Sequence, residues 1–318
     1  MIPLLAPSYT VTDLHFAAQS AIMSETGIIA GKMYSTDRGS TEAFVWRHGK
    51  LTKLPTIREI YAINASGQMA VQSDKGYGLW NNGIVTLHSP GDTVGQPAGI
   101  SDDGQITEIV STGSEGMYNI SVWPRTNPVA RSFEVRPRPG AVAPDGSIAG
   151  THGYGLQFRL HDRPLGWLWV AGVKERPIGT AQQQAVPTCI SRGHRVGGTF
   201  TMPGSVLPLP FDWADGYFRA LPVPAGNSST GHVVGINDRN ECVGWCDWQQ
   251  KIPNGIANVV HGFLWRTGIA YDLNDLIPAD ANLEIIGALG VSAKGEILAT
   301  AKSRAYGWPT TLVIFKPT

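Results

Sequence analysis

The chain has 318 residues, and its 25 lysine and arginine residues balance 25 aspartate and glutamate residues, so its formal net charge at pH 7 is zero. Nucleic acids and anionic membranes attract proteins with an excess of basic residues, so this balance excludes both as expected partners. No stretch approaches the roughly 18 consecutive apolar residues of a membrane span, and three cysteines are too few, and odd in number, for a disulfide framework.

The first predicted strand, residues 9–14, follows a start that lacks the charged segment and long apolar run of a secretory signal. We therefore expect a cytoplasmic protein. From Met23 onward a five-residue phrase recurs seven times: a hydrophobic anchor, a small polar residue, two turn residues and usually glycine. The copies are residues 23–27, 63–67, 100–104, 142–146, 190–194, 236–240 and 291–295. A repeat of this kind, carried on strands and turns, is typical of radial β architecture.

Each phrase is followed by a strand that ends in a large aromatic residue. These residues are Trp46, Trp80, Trp123, Trp169, Trp213, Trp265 and Phe315. A buried tryptophan covers roughly 150–250 Å², and repetition in every unit favours packing between neighbouring sheets over ligand binding. The aromatic column is therefore predicted to be core.

The unit predicted from these elements has four strands: an inner strand that ends at the anchor, a second strand such as residues 28–31, the aromatic strand, and a short outer strand such as residues 51–54. Four antiparallel strands per unit are typical of a propeller blade. We predict an all-β fold, a seven-bladed β-propeller of four-stranded antiparallel blades, in a single domain at residues 1–318. The predicted blades are residues 15–56, 57–91, 92–135, 136–180, 181–225, 226–279, and 280–318 together with 9–14.

The last repeat has residues for only three strands, and the segment 9–14 resembles the outer strand of the sixth repeat at residues 270–273. A strand from the N terminus is therefore predicted to complete the last blade. Such pairing closes the ring and removes two exposed sheet edges.

Long connections of unequal length are predicted on one face of the ring. They are residues 32–41, 111–117, 152–165, 199–208, 245–260 and 302–309. Variable loops on a regular scaffold are the usual place for binding and catalysis. The candidate ligand-binding residues on these loops and the adjoining inner strands are Tyr34, Tyr61, Gln96, His152, Tyr154, Arg159, His161, Trp245, Trp248, Arg304, Tyr306 and Trp308. The alternative is that loops this long need aromatic anchors of their own.

The position four residues before each hydrophobic anchor is predicted to surround the opening of the axial channel on this face. Its residues are Gln19, Glu59, Gln96, Arg138, Val186, His232 and Gly287. A carboxylate, a guanidinium and an imidazole that converge on one pocket would supply a base, an anion clamp and an acid, so Glu59, Arg138 and His232 are the candidate catalytic residues. The alternative is a hydrated channel mouth whose polar groups are solvated or paired between blades.

Cysteine positions and missing motifs limit the chemistry. Cys189 and Cys242 fall at apolar strand positions and are predicted to be small buried hydrophobes. A zinc site from Cys242, Cys246, His232 and His261 would match no usual zinc spacing, so no metal is predicted. No Gly-x-Ser-x-Gly elbow, His-Glu-x-x-His pair, Walker loop or dinucleotide fingerprint occurs. An enzyme built on this chain is expected to work without a cofactor.

These observations favour a propeller that binds a small molecule. One form of it is a cofactor-independent enzyme of the cyclase, lyase or isomerase type that acts in the axial pocket on the long-loop face. The alternative is a non-catalytic propeller that recognises a protein or a glycan, and a second alternative is a structural repeat protein of the cell surface. A deep funnel with convergent polar groups would favour the metabolite site, whereas a broad surface with exposed apolar residues would favour a macromolecular partner.

Three stretches carry a family resemblance: residues 42–46 (Glu-Ala-Phe-Val-Trp), residues 261–265 (His-Gly-Phe-Leu-Trp) and the opening strand 9–14. Together with Ile236-Asn237 they resemble the HAF-repeat proteins, predicted extracellular bacterial repeats that read roughly His-Ala-Phe-Leu-Trp. The resemblance implies a β-propeller and an extracellular location, and it implies no particular chemistry. Only His261 keeps the histidine; the other repeats have Glu42, Gly76, Asn119, Leu165, Leu209 and Thr311.

Overall fold

The structure is a computed structural model, and it describes residues 7–35, 40–87, 96–111, 118–123, 131–132, 137–152, 165–170, 175–253, 255–278, 280–304 and 310–318. These residues form seven four-stranded antiparallel sheets, with a short 3₁₀ turn at Leu273–Leu276. Each sheet packs against the next, and the seventh packs against the first, so the sheets form a closed ring. The predicted seven-bladed β-propeller is confirmed.

The N-terminal strand β1 is Tyr9–Asp13. Blade 1 consists of β2 (Ala18–Met23), β3 (Ile29–Tyr34), β4 (Thr41–Arg47) and β5 (Lys50–Lys53). Blade 2 consists of β6 (Ile57–Ile63), β7 (Met69–Ser73), β8 (Gly76–Asn81) and β9 (Ile84–Leu87). Blade 3 consists of β10 (Gln96–Ile100), β11 (Ile106–Ser111), β12 (Tyr118–Trp123) and β13 (Arg131–Ser132). Blade 4 consists of β14 (Pro137–Val142), β15 (Ile148–His152), β16 (Gly166–Trp169) and β17 (Arg176–Ile178).

Blade 5 consists of β18 (Gln184–Ile190), β19 (Val196–Thr201), β20 (Leu209–Ala214) and β21 (Tyr217–Ala220). Blade 6 consists of β22 (Asn227–Ile236), β23 (Glu241–Ile252), β24 (Gly255–Arg266) and β25 (Ile269–Asp272). Blade 7 consists of β26 (Leu283–Val291), β27 (Ile297–Ser303) and β28 (Thr310–Pro317), with β1 as its fourth strand. The first strand of every blade contributes to one axial cavity of about 270 Å³, so these strands are the innermost.

The ring is closed by pairing of the two ends of the chain. Strand β1 runs antiparallel to β28, with Tyr9 opposite Pro317 and Asp13 opposite Val313. The Tyr9 ring lies edge-on to Phe315, at a centroid distance of 5.9 Å. Burial, together with the negative charge of Glu241, raises the pKa of Tyr9 to about 12. The predicted closure is confirmed, and it covers an edge of β28 that would otherwise be free to pair with another chain.

The aromatic column is part of the core, as predicted. Trp123, Trp213, Trp265 and Phe315 are buried. Trp46, Trp80 and Trp169 are partly exposed, but each packs against a cluster of buried aliphatic residues. Burial of this column between neighbouring sheets stabilises every interface between blades.

Every inner strand contains a β-bulge that the sequence did not reveal. Register shifts lie between Ala18 and Ser20, Ile57 and Glu59, Ile60 and Ala62, Pro97 and Gly99, Pro139 and Ala141, Pro187 and Cys189, Asn227 and Thr230, Val233 and Gly235, Ile285 and Gly287, and Ala288 and Gly290. A bulge leaves one residue unpaired and re-aims its side chain. Val234 and Leu289, the extra residues of blades 6 and 7, line the axial cavity.

The connections from first to second strand lie on one face of the ring, which we call the turn face. The Ser or Asn of the phrase closes six of these turns, as predicted, whereas blade 4 has Ala143 at this position. In blade 1, Ser24 Oγ accepts a hydrogen bond from the amide of Ile28 at 3.0 Å. In blade 2, Asn64 Oδ1 accepts from the amide of Gln68 at 2.9 Å.

The same turns are hydrogen-bonded to one another around the whole ring. In blade order the bonds are Thr26 Oγ1 to Ala65 O (2.6 Å), Asn64 Nδ2 to Ser101 O (2.9 Å), Asp102 N to Pro144 O (2.7 Å), His194 Nε2 with Asp145 Oδ2 (2.7 Å), Gly193 N to Asp238 Oδ1 (2.9 Å), Asn237 Nδ2 to Ser292 O (2.9 Å) and Ala293 N to Glu25 O (2.8 Å). Each of the seven interfaces therefore has a polar link at the turn face. We call this set the turn ring.

Arg192 crosses the axis at the turn face. Its guanidinium, on blade 5, donates two hydrogen bonds of 3.0 Å to the Glu25 carboxylate of blade 1 and a third to Asp102 of blade 3. These bonds, first to Glu25 and then to Asp102, raise the pKa of Arg192 further above its ordinary value. The single guanidinium of Arg192 therefore links the carboxylates of blades 1 and 3 at this end of the axial cavity.

Replacement of Asn237 by alanine tests the turn ring. Asn237→Ala removes the hydrogen bond to Ser292 O. It also removes the donor that lies 2.7 Å from Glu241 Oε2, and Glu241 is only 1% exposed. Because a buried carboxylate without its donor is costly, the free energy of unfolding should fall by roughly 2–3 kcal/mol. Chemical denaturation and calorimetry measure the change. Asn258→Ala, at an exposed position of β24, is the control and should change the free energy of unfolding by less than about 0.5 kcal/mol. An equal loss of unfolding free energy in both variants would contradict the role of the turn ring.

Candidate functional site

The three candidate catalytic residues lie at one level of the ring, on the inner strands of blades 2, 4 and 6. Their cross-strand partners occupy equivalent positions: Glu59 lies opposite Gln72, Arg138 opposite Thr151 and His232 opposite Trp245. This level is at the end of the inner strands opposite the turn face, which we call the loop face. In the described part of the chain no hydrogen bond or ion pair joins Glu59 to His232, so their convergence on one substrate stays a prediction.

The remaining candidates differ in how far the structure describes them. Tyr34 is 54% exposed at the end of β3, and Arg304 is exposed after β27. For Gln96, Arg138 and His152 only the backbone is described. Tyr154, Arg159, His161, Tyr306 and Trp308 lie outside the described residues.

Glu59 is engaged in an ion pair between two blades. Lys32 Nζ of blade 1 lies 3.1 Å from Glu59 Oε2 of blade 2. This contact fits the alternative drawn from the sequence, in which polar groups at the channel mouth pair between blades. Because the carboxylate is engaged by the ammonium of a neighbouring blade, the pair favours a structural or positioning role for Glu59.

Tyr61 is the extra residue of the bulge in β6. Its hydroxyl donates to Gln72 Oε1 at 3.3 Å and lies 3.5 Å from the hydroxyl of Tyr77. Burial and the Tyr77 hydroxyl raise the pKa of Tyr61. At neutral pH Tyr61 is therefore a phenol that can donate a hydrogen bond.

Blade 6 brings together more aromatic and ionisable predicted residues than any other described part of the loop face. The imidazole of His232 stacks on the indole of Trp245, with ring centroids 3.9 Å apart and an interplanar angle of 20°. Burial lowers the pKa of His232, and the nearby carboxylate of Asp247 opposes that shift only in part. The imidazole is therefore neutral at physiological pH and can accept a proton.

The strands beside His232 carry further polar groups. Thr230 Oγ1 donates to Asp247 Oδ1 at 2.6 Å, which fixes that carboxylate. His261 Nδ1 lies 2.5 Å from Asp272 Oδ2, and the edge of Trp248 packs against the His261 ring at a centroid distance of 5.1 Å. Sequence reasoning did not name Asp272 as part of the site.

Residues 245–260 were predicted to be a loop, and this is wrong. Strand β23 runs to Ile252 and β24 begins at Gly255, with Trp248 paired to Val259 across a continuous antiparallel ladder. The physical reason is that the segment contains no glycine or proline until Pro253, so the chain stays extended to that point. Trp245 and Trp248 are therefore strand residues on a rigid hairpin.

A cysteine, a histidine and an aspartate stand together in this blade. Cys246 is paired with His261 across β23 and β24, and His261 contacts Asp272. However, Cys246 is fully buried, and burial, with the charges of Asp247 and Asp272, raises the pKa of its thiol. A buried thiol that stays protonated is not a nucleophile. Cys189 and Cys242 are also buried free thiols, as predicted.

The histidine that names the resembled family has a structural partner here. His261 contacts Asp272 across β24 and β25, and the equivalent positions in blade 1 are Glu42 and Lys53, with an ion pair of 2.6 Å. In blade 7, Thr311 Oγ1 donates to Asp13 at 2.6 Å. The residue types change from blade to blade, but each pair remains complementary.

Within the described ranges, no group of three or more His, Cys, Asp or Glu side chains is arranged to hold a metal ion. No helix of the described residues has the length and apolar character needed to cross a membrane.

No protein-family model matches the chain, and no curated protein matches it. Among solved structures it is similar to virginiamycin B lyase from Staphylococcus aureus, at 11% identity and a TM-score of 0.53, with 98% of this chain and 100% of that chain covered. It is also similar to an acylaminoacyl peptidase from Pyrococcus horikoshii, at 10% identity and a TM-score of 0.56, with 93% of this chain and 50% of that chain covered. At these identities the likeness shows the β-propeller fold alone.

A pH titration of His232 tests whether its imidazole is buried against Trp245 as described. In the folded protein its midpoint should lie below the ordinary value of 6.5, because burial disfavours the charged ring. The unfolded chain then binds the proton first, so stability should fall as the pH is lowered from 6.5 toward the folded-state midpoint. NMR titration, with the signal assigned through His232→Gln, measures the midpoint. Trp245→Ala uncovers the imidazole of His232 and should move its titration midpoint back toward 6.5. A wild-type midpoint at or above 6.5 would refute the burial of this imidazole.

Proposed function

We propose that the protein binds a small molecule on its loop face beside His232, and that the imidazole acts as general base in a cofactor-independent reaction of the lyase, cyclase or isomerase type. The observation that carries this proposal is the stacked His232–Trp245 pair with its half-buried, neutral imidazole. A general base must be unprotonated at the working pH, and a lowered pKa keeps it so. The lowered pKa favours a base over the acid role expected for His232 from the sequence.

The surroundings of His232 suit a small organic substrate. Trp245 and Trp248 are partly exposed and offer apolar, rigid surfaces on the strand that also carries Asp247. Tyr61, on the inner strand of blade 2, supplies a protonated phenol. Arg138 remains the proposed anion clamp, because its backbone stands at the level of His232 in blade 4.

A ligand screen followed by turnover assays tests the proposal. A thermal-shift panel of small organic acids, amides and lactones identifies ligands by a rise in melting temperature, because a ligand that binds the native state stabilises it. For a compound that is also converted, His232→Ala should lower the turnover rate by roughly 10²- to 10⁴-fold, and added imidazole should restore part of it. Mass spectrometry of the product measures the rate.

Tyr217→Ala is the matched control, because Tyr217, the first residue of β21, is 83% exposed at the turn face. This variant should bind and convert the compound like the wild type. Equal binding and turnover in wild type and His232→Ala would refute the proposed role of the imidazole.

A second candidate function is recognition of a protein or a glycan, and the hairpin of blade 6 favours it. Strands β23 and β24 are each 12 residues long and expose Ile252, Ile256 and Val260, which are 44%, 62% and 40% exposed. Exposed apolar residues on a projecting hairpin are typical of a binding surface.

One pair of variants distinguishes the two proposed functions. Ile256→Asp should leave small-molecule binding unchanged under the first function and should abolish glycan-array or partner binding under the second. Ile84→Asp is the control, because Ile84 is 71% exposed on the outer strand of blade 2, remote from the hairpin. Loss of small-molecule binding in Ile256→Asp alone, with the fold intact by circular dichroism, would contradict the placement of the site beside His232.

We also propose a relationship to the HAF-repeat proteins, which the His261–Asp272 pair and its counterparts in blades 1 and 7 support. A cell-surface role follows from that relationship alone.

A further inference from the structure

A groove on the turn face, between blades 1 and 2, has properties that the loop-face site does not explain. Its volume is about 630 Å³. Blade 1 contributes one face of the β4–β5 hairpin, and blade 2 contributes Gly67, Trp80, Asn82 and Gly83. A groove of this size is in the range that takes a small organic ligand, roughly 300–1,000 Å³.

The face of the hairpin that lines the groove follows from strand alternation. Val45 is paired with Thr52 and Arg47 with Lys50, and directly paired residues of antiparallel strands point to the same side. Leu54 continues this face beyond β5. The hairpin therefore presents an apolar strip that ends in two cations at the turn.

The charge of the groove is uncompensated. Arg47, His48 and Lys50 are exposed and line it, and none of the acidic residues of the described chain does. The side chains of Arg47 and Lys50 form no ion pair or hydrogen bond with described residues. Like charges directly opposite each other across two strands repel, so this pair costs stability in the free protein.

The corresponding pairs in other blades do not repeat this arrangement. They are Asn81 with Ile84 in blade 2, Ala214 with Tyr217 in blade 5, and Arg266 with Ile269 in blade 6. A smaller groove of about 410 Å³ lies between blades 4 and 5, but there Arg176 is accompanied by Asp215, and Trp213 is buried. The two opposed cations beside a partly exposed Trp80 are therefore a feature of the groove between blades 1 and 2.

We propose that this groove is a second binding site, and that it takes an organic oxyanion with an apolar body. The oxyanion lies between the guanidinium of Arg47 and the ammonium of Lys50, and it relieves their repulsion. The apolar body lies on Val45, Leu54 and the indole of Trp80. Planar bidentate contact with arginine suits a carboxylate, a phosphate or a sulfonate equally. This site is separate from the one proposed beside His232.

Binding of 2-naphthoate and of uncharged 2-naphthamide, measured by calorimetry, tests the proposal. Naphthoate should bind at least tenfold more tightly, and added salt should weaken it. The indole N–H signal of Trp80, assigned through Trp80→Phe, should shift on titration with naphthoate. 2-Naphthyl phosphate in a parallel titration distinguishes a phosphate from a carboxylate ligand.

The double variant Arg47→Gln/Lys50→Gln should lose tenfold or more in affinity for naphthoate. Its melting temperature should equal or exceed that of the wild type, because the repulsion is gone, and this separates lost binding from lost folding. Arg176→Gln, in the groove between blades 4 and 5, should bind naphthoate unchanged. Equal affinity for naphthoate and naphthamide, unaltered affinity in the double variant, or binding of polyglutamate as tight as that of naphthoate would overturn the proposal.

Discussion

The turn ring is the interaction on which the rest of the structure depends. Each inner turn closes itself and also bonds to the next turn, so the seven sheets are held at a fixed distance from one axis. The bonds occupy the polar groups of the turn face: Arg192 is bound by Glu25 and Asp102, and Asp238 accepts from Gly193. A ligand at that end of the axis would have to displace these bonds. The loop face and the outer grooves are therefore the places where binding costs least.

Polar pairs across strands show how the repeat tolerates variation. His261 pairs with Asp272 in blade 6. The equivalent pair is glutamate with lysine in blade 1 and threonine with aspartate in blade 7. In these three blades both residues of the pair differ and each pair is still complementary, whereas blade 2 has Gly76 and blade 5 has Leu209 at this position. Loss of the name-giving histidine in most repeats is thus compatible with an unchanged blade.

The fold was predictable because its determinants are local. The anchors, the turn residues and the aromatic column recur within each repeat, and the spare strand at residues 9–14 fixes the closure. The site was less predictable, because one of its contacts joins residues of different repeats and the others depend on the exact strand register within a blade. Lys32 and Glu59 stand in separate blades, and the stacking of His232 on Trp245 requires the register of β22 and β23. The bulges were also missed, because no residue type marks them in all seven inner strands.

The two proposed sites differ in the physical basis of recognition. At the loop face Lys32 is paired with Glu59, and burial keeps His232 neutral. A substrate at the proposed site is selected by contact with Trp245 and by the single charge of the proposed clamp, Arg138. In the groove between blades 1 and 2, Arg47 and Lys50 remain uncompensated, so charge selects the ligand and the apolar strip adds affinity. One scaffold thus carries a proposed site built around a neutral base near its axis and a proposed site built around two cations at its rim, and occupancy of one need not alter the other because the turn ring holds the blades between them.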